Sequence, residues 1–431
     1  MEYNLSGGAL TDALNFQPKQ PGASSRSYRT IVLPINSGAQ NPGDVTKFDI
    51  PVGRQNAYID TSETYLTFQV KNTGTATFNL DGSAYCFFNR LDILSQGQVL
   101  ETIQNYNVLC NTLLDLQQDA LVSTTSGTIN MGTGYDTVES QNIAKFGQAL
   151  ATNAVQDFSI PLALSGVLGP GCSKYLPISK VTDLRLELTI ENAIQAVVQA
   201  SGTASFTLNN VQLILTYIDI DPAVASQLEQ AVGGRYIISS ESWRNYTSIL
   251  PASRSGDSVL IPARYSSLRT LLHVWRDYLN NSDQTKYWLS ARSNPFYSSA
   301  GVQSQIQYFI GAVLVPQTPV KFVSEMWMNG QQAFHQLGSI SNGSRCFYTN
   351  WNQSAYYDTN TYGMGTFAFA QNFDSFLNKS DSLTVGFNTI NSPTFLNITY
   401  PASVATQQRL DTWAHFDMIL DISDAGMVAR Y

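Results

Sequence analysis

Three histidines, His273, His335 and His415, are the residues of this chain whose ordinary pKa suits proton transfer or metal ligation near neutral pH. Each stands isolated. His273 lies in LLHVW and His415 in WAHFD, apolar stretches of strand type in which a hydrogen-bonded structural imidazole is expected. The spacings HExxH, GxSxG and paired Cys-His do not occur. GVLGPGCSKY, residues 166–175, shares glycines with a phosphate loop. It lacks the Gly-Lys-Ser/Thr order, carries Pro170 in the turn and runs into β-type sequence rather than a helix.

Carboxylates come in two close pairs, Asp219 with Asp221 and Asp421 with Asp424, each at the end of a β-rich run. A cation could bind such a pair, but solvated strand ends are the default. Glycoside cleavage needs two carboxylates that are neighbours only in space, so spacing leaves that chemistry open. Trp275, Trp288, Trp327 and Trp351 are the aromatics from which a sugar platform would be drawn. Cys86, Cys110, Cys172 and Cys346 are far apart with no CxxC, which reads as buried free thiols in a reducing compartment, with disulfides the alternative that no spacing supports. No catalytic set, cofactor motif or metal-ligand spacing assembles. The expectation is a protein that is not an enzyme, with no catalytic, cofactor-binding or metal residues to name.

Composition narrows the class further. Hydrophobic residues make up 43% of the 431, enough for sizeable cores, while charged residues are only 13%, against a usual fraction of about 25%. Asn, Gln, Ser and Thr carry the polarity instead, which suits a surface that packs against neighbours, since amides and hydroxyls lose less than charges on leaving water. The formal net charge of −8 argues against a surface given over to nucleic acid. In the first thirty residues Lys19, Arg26 and Arg29 face Glu2 and Asp12, so no basic packaging arm is present there. The start, MEYNLSGGALTDALN, lacks the charged and apolar regions of a secretory signal, and no apolar run reaches the roughly 20 residues that cross a bilayer.

The elements that must position these residues are mostly strands. DLRLELTIEN alternates Leu184, Leu186, Leu188 and Ile190 against Arg185, Glu187, Thr189 and Glu191, the period of a half-buried strand. Further short strands are predicted at 64–70, 87–94, 206–219, 268–276, 306–315, 382–387, 394–399 and 413–422, separated by Gly, Pro, Asn and Ser. Such a series suggests a sandwich, jelly roll or barrel. Two helices interrupt it. Tyr106, Leu109, Leu113, Leu116 and Ala120 form one stripe, and DPAVASQLEQAVGG has Asp221 as a cap, Pro222 in the first turn and Gly233 at the exit.

A run of landmarks occurs twice. Tyr28-Arg29, Val32-Leu33-Pro34, Gly43-Asp44, Ile50-Pro51 and Arg54 return in the same order as Trp243-Arg244, Ile249-Leu250-Pro251, Gly256-Asp257, Ile261-Pro262 and Arg264. The runs VQLILTYIDIDP and AHFDMILDISD close the two halves in the same way. The expected organisation is an N-terminal arm over 1–27, a first β domain over 28–221, a connector helix over 222–234 and a second β domain over 235–431. Long loops are expected at 121–156, 278–304 and 339–365.

YCFFNRLDILSQGQVLETIQNYNVLCNTLLDLQQ (85–118) resembles the first domain of double jelly-roll major capsid proteins, through Arg90, the turn at Gly97, Leu100-Glu101 and a helix with Tyr106 and Leu109. FSIPLALSGVLG, KYLPISKVTDLRLELTI, VGFNTINSPTFLNITYP and the closing WAHFDMILDISDAGMVARY are similar to other strands of that family. The nearest flavour is that of virophage, polinton-like and adintovirus capsids, and more distantly of adenoviruses. The resemblance implies an all-β chain of two tandem eight-stranded jelly rolls with short helices in the connecting loops. It also implies homotrimeric, pseudo-hexagonal capsomers of an icosahedral DNA virus. Its partners would be neighbouring capsomers, penton and minor capsid proteins, with no sequence-specific nucleic acid. The protein would be made inside the host cell and reside in the virion shell, with the three long loops as outer towers. Competing readings are a tandem β-sandwich carbohydrate-binding or carbohydrate-active protein and a viral receptor-binding spike.

Overall fold

Alternation in the sequence becomes alternation in burial. In Arg185–Ile190 the three apolar residues are buried and the three polar ones half-buried, so one face of this strand belongs to a core and the other to solvent. The same logic builds sixteen principal strands in the computed structural model, which describes residues 25–36, 38–117, 132, 149–297, 302–334, 351, 365–374 and 386–431. In the first half these are β1 (Ser25–Val32), β2 (Val45–Asp49), β3 (Ala57–Asn72), β4 (Phe88–Ser95), β5 (Gln98–Gln104), β6 (Val155–Pro161), β7 (Arg185–Ile190) and β8 (Phe206–Ile220). The second half contains β9 (Tyr236–Leu250), β10 (Arg254–Ile261), β11 (Leu268–Asp277), β12 (Gln305–Ile310), β13 (Val313–Val320), β14 (Phe369–Asn372), β15 (Thr394–Val404) and β16 (Gln408–Ser423).

The first half orders its strands β1-β8-β3-β6 in one sheet and β2-β7-β4-β5 in the other. In the second half the orders are β9-β16-β11-β14 and β10-β15-β12-β13. Adding eight to each strand number of the first half gives the second half. Two antiparallel four-stranded sheets with this connectivity are an eight-stranded jelly roll, and the chain contains two. Leu176–Pro177 extends the first half by pairing with β3, and Gly426–Arg430 extends the second by pairing with β16.

The repeated landmarks do the same work in each half. Tyr28 on β1 pairs with Tyr217 on β8 and stacks on it, with ring centroids 5.7 Å apart. Trp243 on β9 pairs with His415 on β16 and stacks at 4.3 Å. An aromatic cross-strand pair, worth about 0.2–1 kcal/mol beyond its alanine equivalent, thus joins the first strand of each sandwich to its last.

Helices fill the connections. α1 (Tyr106–Gln117) follows β5, α2 (Pro222–Val232) joins the halves, and α3 (Val323–Ala333) follows β13 in the position α1 holds after β5. Asp221 caps α2 by accepting the Ala223 N–H at 2.8 Å, and Gly233 ends it at φ 65°. The core of the first half includes the edge-to-face pair Phe68 and Phe88, centroids 5.2 Å apart; that of the second includes Trp275 against Phe296 at 5.4 Å.

Several sequence expectations change. The strand predicted over 306–315 is a hairpin, β12 and β13, turning at Gly311-Ala312 with Gly311 at φ 61°, a conformation glycine adopts without strain. The arm drawn over 1–27 overlaps β1, because Ser25, Arg26 and Ser27 already pair with Ile220, Asp219 and Ile218. Ala120, most of the strand predicted at 382–387, and most of the loops at 121–156 and 339–365 lie outside the described residues. Within the loop expected at 278–304, residues 287–296 are buried rather than projecting.

Candidate functional site

Four buried carboxylates gather where the two sandwiches meet; three accept from the far side, and the fourth, Asp411, holds the Arg409 that crosses. Asp81, in the turn before Phe88, accepts the backbone N–H groups of Trp288 at 2.6 Å, Leu289 at 2.7 Å and Ser290 at 2.9 Å, and the Ser290 hydroxyl. Burial pushes this carboxyl above its ordinary value, while the four donors pull it back. Glu101 on β5 accepts from Ser165 Oγ at 2.7 Å and the Gly166 N–H at 2.8 Å, and across the seam from Ser242 Oγ on β9. It too is raised by burial against its hydrogen bonds.

The other two are ion-paired. Arg292 of the second half donates to Asp115 on α1 and, at 3.2 Å, to Thr112 one turn earlier. Asp411 on β16 accepts from Arg276 on β11, from Arg409 at 3.1 Å and from Thr247 at 2.8 Å. Burial raises Asp411, but Arg276 and Arg409 outweigh it and hold the carboxyl below its usual range. Arg409 then reaches Asn105 Oδ1 at 2.8 Å, and Asn105 donates to Asn245 at 2.9 Å. Asn105 sits at φ 49°, which Asn tolerates better than most residues, and so links β5 directly to α1. Trp413 Nε1 donates to the Gln104 carbonyl at 3.2 Å beside it.

α1 supplies much of the first half's side of this seam. Its apolar stripe is buried as predicted at Tyr106, Leu109 and Leu113, but Asn107, Asn111, Thr112 and Asp115 on its other side are buried too. Asn107 bonds Glu191 at 3.0 Å and Asn111 bonds the Asp81 carbonyl at 3.1 Å. Both faces of the helix are therefore held by hydrogen bonds or packing, and Arg292 locks it to the second half.

The glycine-rich segment 166–175 belongs to the same seam. Ser240 donates to the Gly166 carbonyl, and Ser173 N–H donates to the Ser239 carbonyl at 3.1 Å. A Cβ on Gly166 would lie 2.2 Å from the Glu241 carbonyl oxygen, so the backbones approach as only glycine allows. Lys180 ends the seam at the surface, bridging Glu229 of α2 at 2.5 Å and Asp424 at 2.7 Å.

Residues singled out for chemistry are consumed by structure. His273 is fully buried between Thr412 at 2.8 Å and Tyr308 at 2.7 Å, and burial lowers its pKa to about 3, so it is neutral. His415 Nε2 lies 3.2 Å from Glu241 while its ring stacks on Trp243. Asp421 accepts from Arg235 and Arg430, and Asp424 from Lys180. Tyr28 donates to Asp219 at 3.4 Å, and Asp221 is a helix cap. Trp275, Trp288 and Trp351 are buried, which removes them as a sugar platform, and half-buried Trp327 packs edge-on against Trp351 at 5.0 Å. Cys86 and Cys110 are buried free thiols whose pKa burial raises; Cys172 is partly buried. His335 and Cys346 lie outside the described residues. Among the described residues no group of three or more His, Cys, Asp or Glu could hold a metal ion, and no helix is long and apolar enough to cross a membrane.

What composition and spacing did not single out is the seam itself. Glu101 gave one signal, an acid in the same alternating phase as buried Ile103 on β5. Asp81 and Arg292 gave none, since their partners lie 207 to 209 and 177 residues away.

Solved structures share this arrangement from end to end. VP54 of PBCV-1, as fitted into a reconstruction of the virophage Sputnik, matches with TM-score 0.62 at 12% identity, over 96% of this chain and 98% of that one. The Faustovirus major capsid protein matches with TM-score 0.60 at 10% identity, over 95% and 92%. The mavirus major capsid protein matches with TM-score 0.52 at 8% identity, over 100% and 95%. The fold is the double jelly roll of viral major capsid proteins. No family model and no curated relative matches the sequence. Within this double jelly roll, side-chain identity is nearly erased while strand order persists, as expected where alternating patterns with different residues fill the same sheets.

Proposed function

We propose that this chain is the major capsid protein of an icosahedral virus, forming homotrimeric, pseudo-hexagonal capsomers that tile a shell around the genome. The observation that carries the reading is the end-to-end match of both jelly rolls to capsid proteins, with little of either chain left over for another activity. Two similar sandwiches in each of three chains supply six near-equivalent edges, which is a physical reason for one chain to repeat its fold. The expected units 28–221 and 235–431, the first widened to begin with β1 at Ser25, are the two units, and 222–234 the link between them.

The seam supports this reading because a tile must keep its two units at a constant angle. Asp81, Glu101 and Asp115 hold that angle through directional bonds that sliding would break and leave unsatisfied in low dielectric. The low charge fraction of 13% suits surfaces that meet copies of themselves. Penton and minor capsid proteins are the further partners, the virion shell is the location, and the role is structural rather than enzymatic.

Light scattering coupled to size exclusion tests the proposal, followed by negative-stain imaging. A particle of three times 47.4 kDa with a hexagonal outline is expected. A monomer that persists at high concentration would overturn it.

A further inference from the structure

The second sandwich carries an exposed apolar row that its twin lacks. Leu260 on β10 pairs with Phe395 on β15, Phe395 with Phe309 on β12, and Phe309 with Leu314 on β13. Paired residues share a sheet face, so the four side chains form one ridge across all four strands. All point outward, at 53%, 37%, 37% and 38% exposure. The next two rows on this face are Ser258-Asn397-Gln307 and Gly256-Thr399-Gln305. None of these ten residues is ionisable.

The equivalent row of the first sandwich is Asp49, Arg185, Leu94 and Val99, charged on its first two strands and apolar on the other two. Asp49 precedes Ile50-Pro51 as Leu260 precedes Ile261-Pro262, and Asp49 pairs with Arg185 where Leu260 pairs with Phe395. Arg185 reaches Asp49 at 2.7 Å, Lys47 reaches Glu187 at 3.4 Å, and Arg90 reaches Asp92 at 2.7 Å. The fold at this position is compatible with a solvated, ion-paired sheet, so the apolar row answers to something other than folding.

We infer that the outer face of β10, β15, β12 and β13 is a docking surface for a second copy of this chain. The inference rests on the self-assembly proposed above and assigns it to residues. Charge favours that occupant: each copy is formally −8, and a face without ionisable groups brings no charge of its own against a second, equally acidic copy. Edge-to-edge continuation of the sheet is hindered at the β13 edge, which carries Pro316 and Pro319. Contact through the face does not depend on either edge. Four strands about 4.8 Å apart and some six residues of about 3.3 Å each give a face on the order of 400 Å2. That is about half of the ~800 Å2 each partner gives to a standard interface, so the row is the apolar centre of a wider contact.

The test compares the full chain with Phe309→Glu/Phe395→Glu and with the control Asp49→Ala/Arg185→Ala, all by light scattering. Both glutamates replace exposed side chains. The expected result is a wild-type and control trimer, and a glutamate variant reduced to one third of that mass with an unchanged circular dichroism spectrum. A glutamate variant of wild-type mass would overturn the docking surface and leave the capsid reading standing. A wild type that is monomeric at every concentration would overturn both. If the glutamate variant does not fold, hydroxyl-radical labelling of the wild type decides: Phe309 and Phe395 should be severalfold less labelled in the assembled protein than after dilution to monomer, and equal labelling overturns the inference.

Discussion

Arg292 and Asp115 form an ion pair across the seam with side chains 0% and 4% exposed. One belongs to the second sandwich and the other to the helix that packs the first, so the pair fixes the sandwiches relative to each other. Burial makes it asymmetric in its consequences: the intact pair contributes little net energy, but either charge alone is strongly unfavourable.

Replacing Arg292 with Met should therefore destabilise the protein by about 3–5 kcal/mol, because Asp115 loses its buried ion-pair partner across the seam. Arg292→Met/Asp115→Leu should recover much of that loss. Denaturant unfolding measures both. A single variant within about 1 kcal/mol of wild type would mean that water reaches the pair and that it does not lock the seam.

Asp81 accepts three consecutive backbone N–H groups and a hydroxyl. Asp81→Asn keeps the shape but turns an NH2 group towards those donors, stranding at least one of them. The expected loss is about 1–3 kcal/mol. Faster hydrogen exchange at Trp288, Leu289 and Ser290, with the amides of β3 unchanged, would locate the effect at the seam. Unchanged exchange at those three amides would show that Asp81 does not hold the segment.

His273 should make part of the acid sensitivity. Its folded pKa, lowered by burial to about 3, lies below the unfolded value of about 6.5. The unfolded chain therefore takes up this proton first, and stability falls as pH drops from about 6.5 towards 3, by up to ~1.4 kcal/mol per unit. The raised carboxyls of Asp81 and Glu101 act in the opposite sense, since the folded state protonates them first. The informative quantity is thus the difference between wild type and His273→Gln. Stability against pH should be flatter for the variant between pH 6 and 4; parallel curves would refute the assignment.

Gly166→Ala places a methyl 2.2 Å from the Glu241 carbonyl oxygen. Neither backbone can yield without moving β9, so a loss of about 1–3 kcal/mol is expected from overpacking. Thermal unfolding of this variant beside Gly330→Ala, where a Cβ meets open space in α3, separates crowding from helix propensity. Gly330→Ala should be stabilising by about 1 kcal/mol. Equal behaviour of the two would remove the close approach from the account.

Much of the fold was legible in the residues. The alternation of Arg185–Ile190, the cap and exit of α2, and the recurrence of Tyr28 as Trp243 or Ile50-Pro51 as Ile261-Pro262 all report local geometry, which neighbours in sequence determine. A two-residue turn such as Gly311-Ala312 was missed because an apolar run on either side masks it. Both halves could be seen to share a plan, since strand periodicity and turn residues are local properties that survive duplication.

What holds the halves together was settled only in three dimensions. Periodicity states that a residue faces away from water but not which distant segment covers it. Asp81 finds Trp288 207 residues later, and Arg292 finds Asp115 177 residues earlier. The same limit hid the row of Leu260, Phe395, Phe309 and Leu314, whose members come from four strands and become one surface only when the sheet sets their register. Chain chemistry determined two sandwiches of one design; the tertiary structure decided how they lock and which face stays uncovered, because burial and adjacency across the chain depend on topology and not on neighbours in sequence.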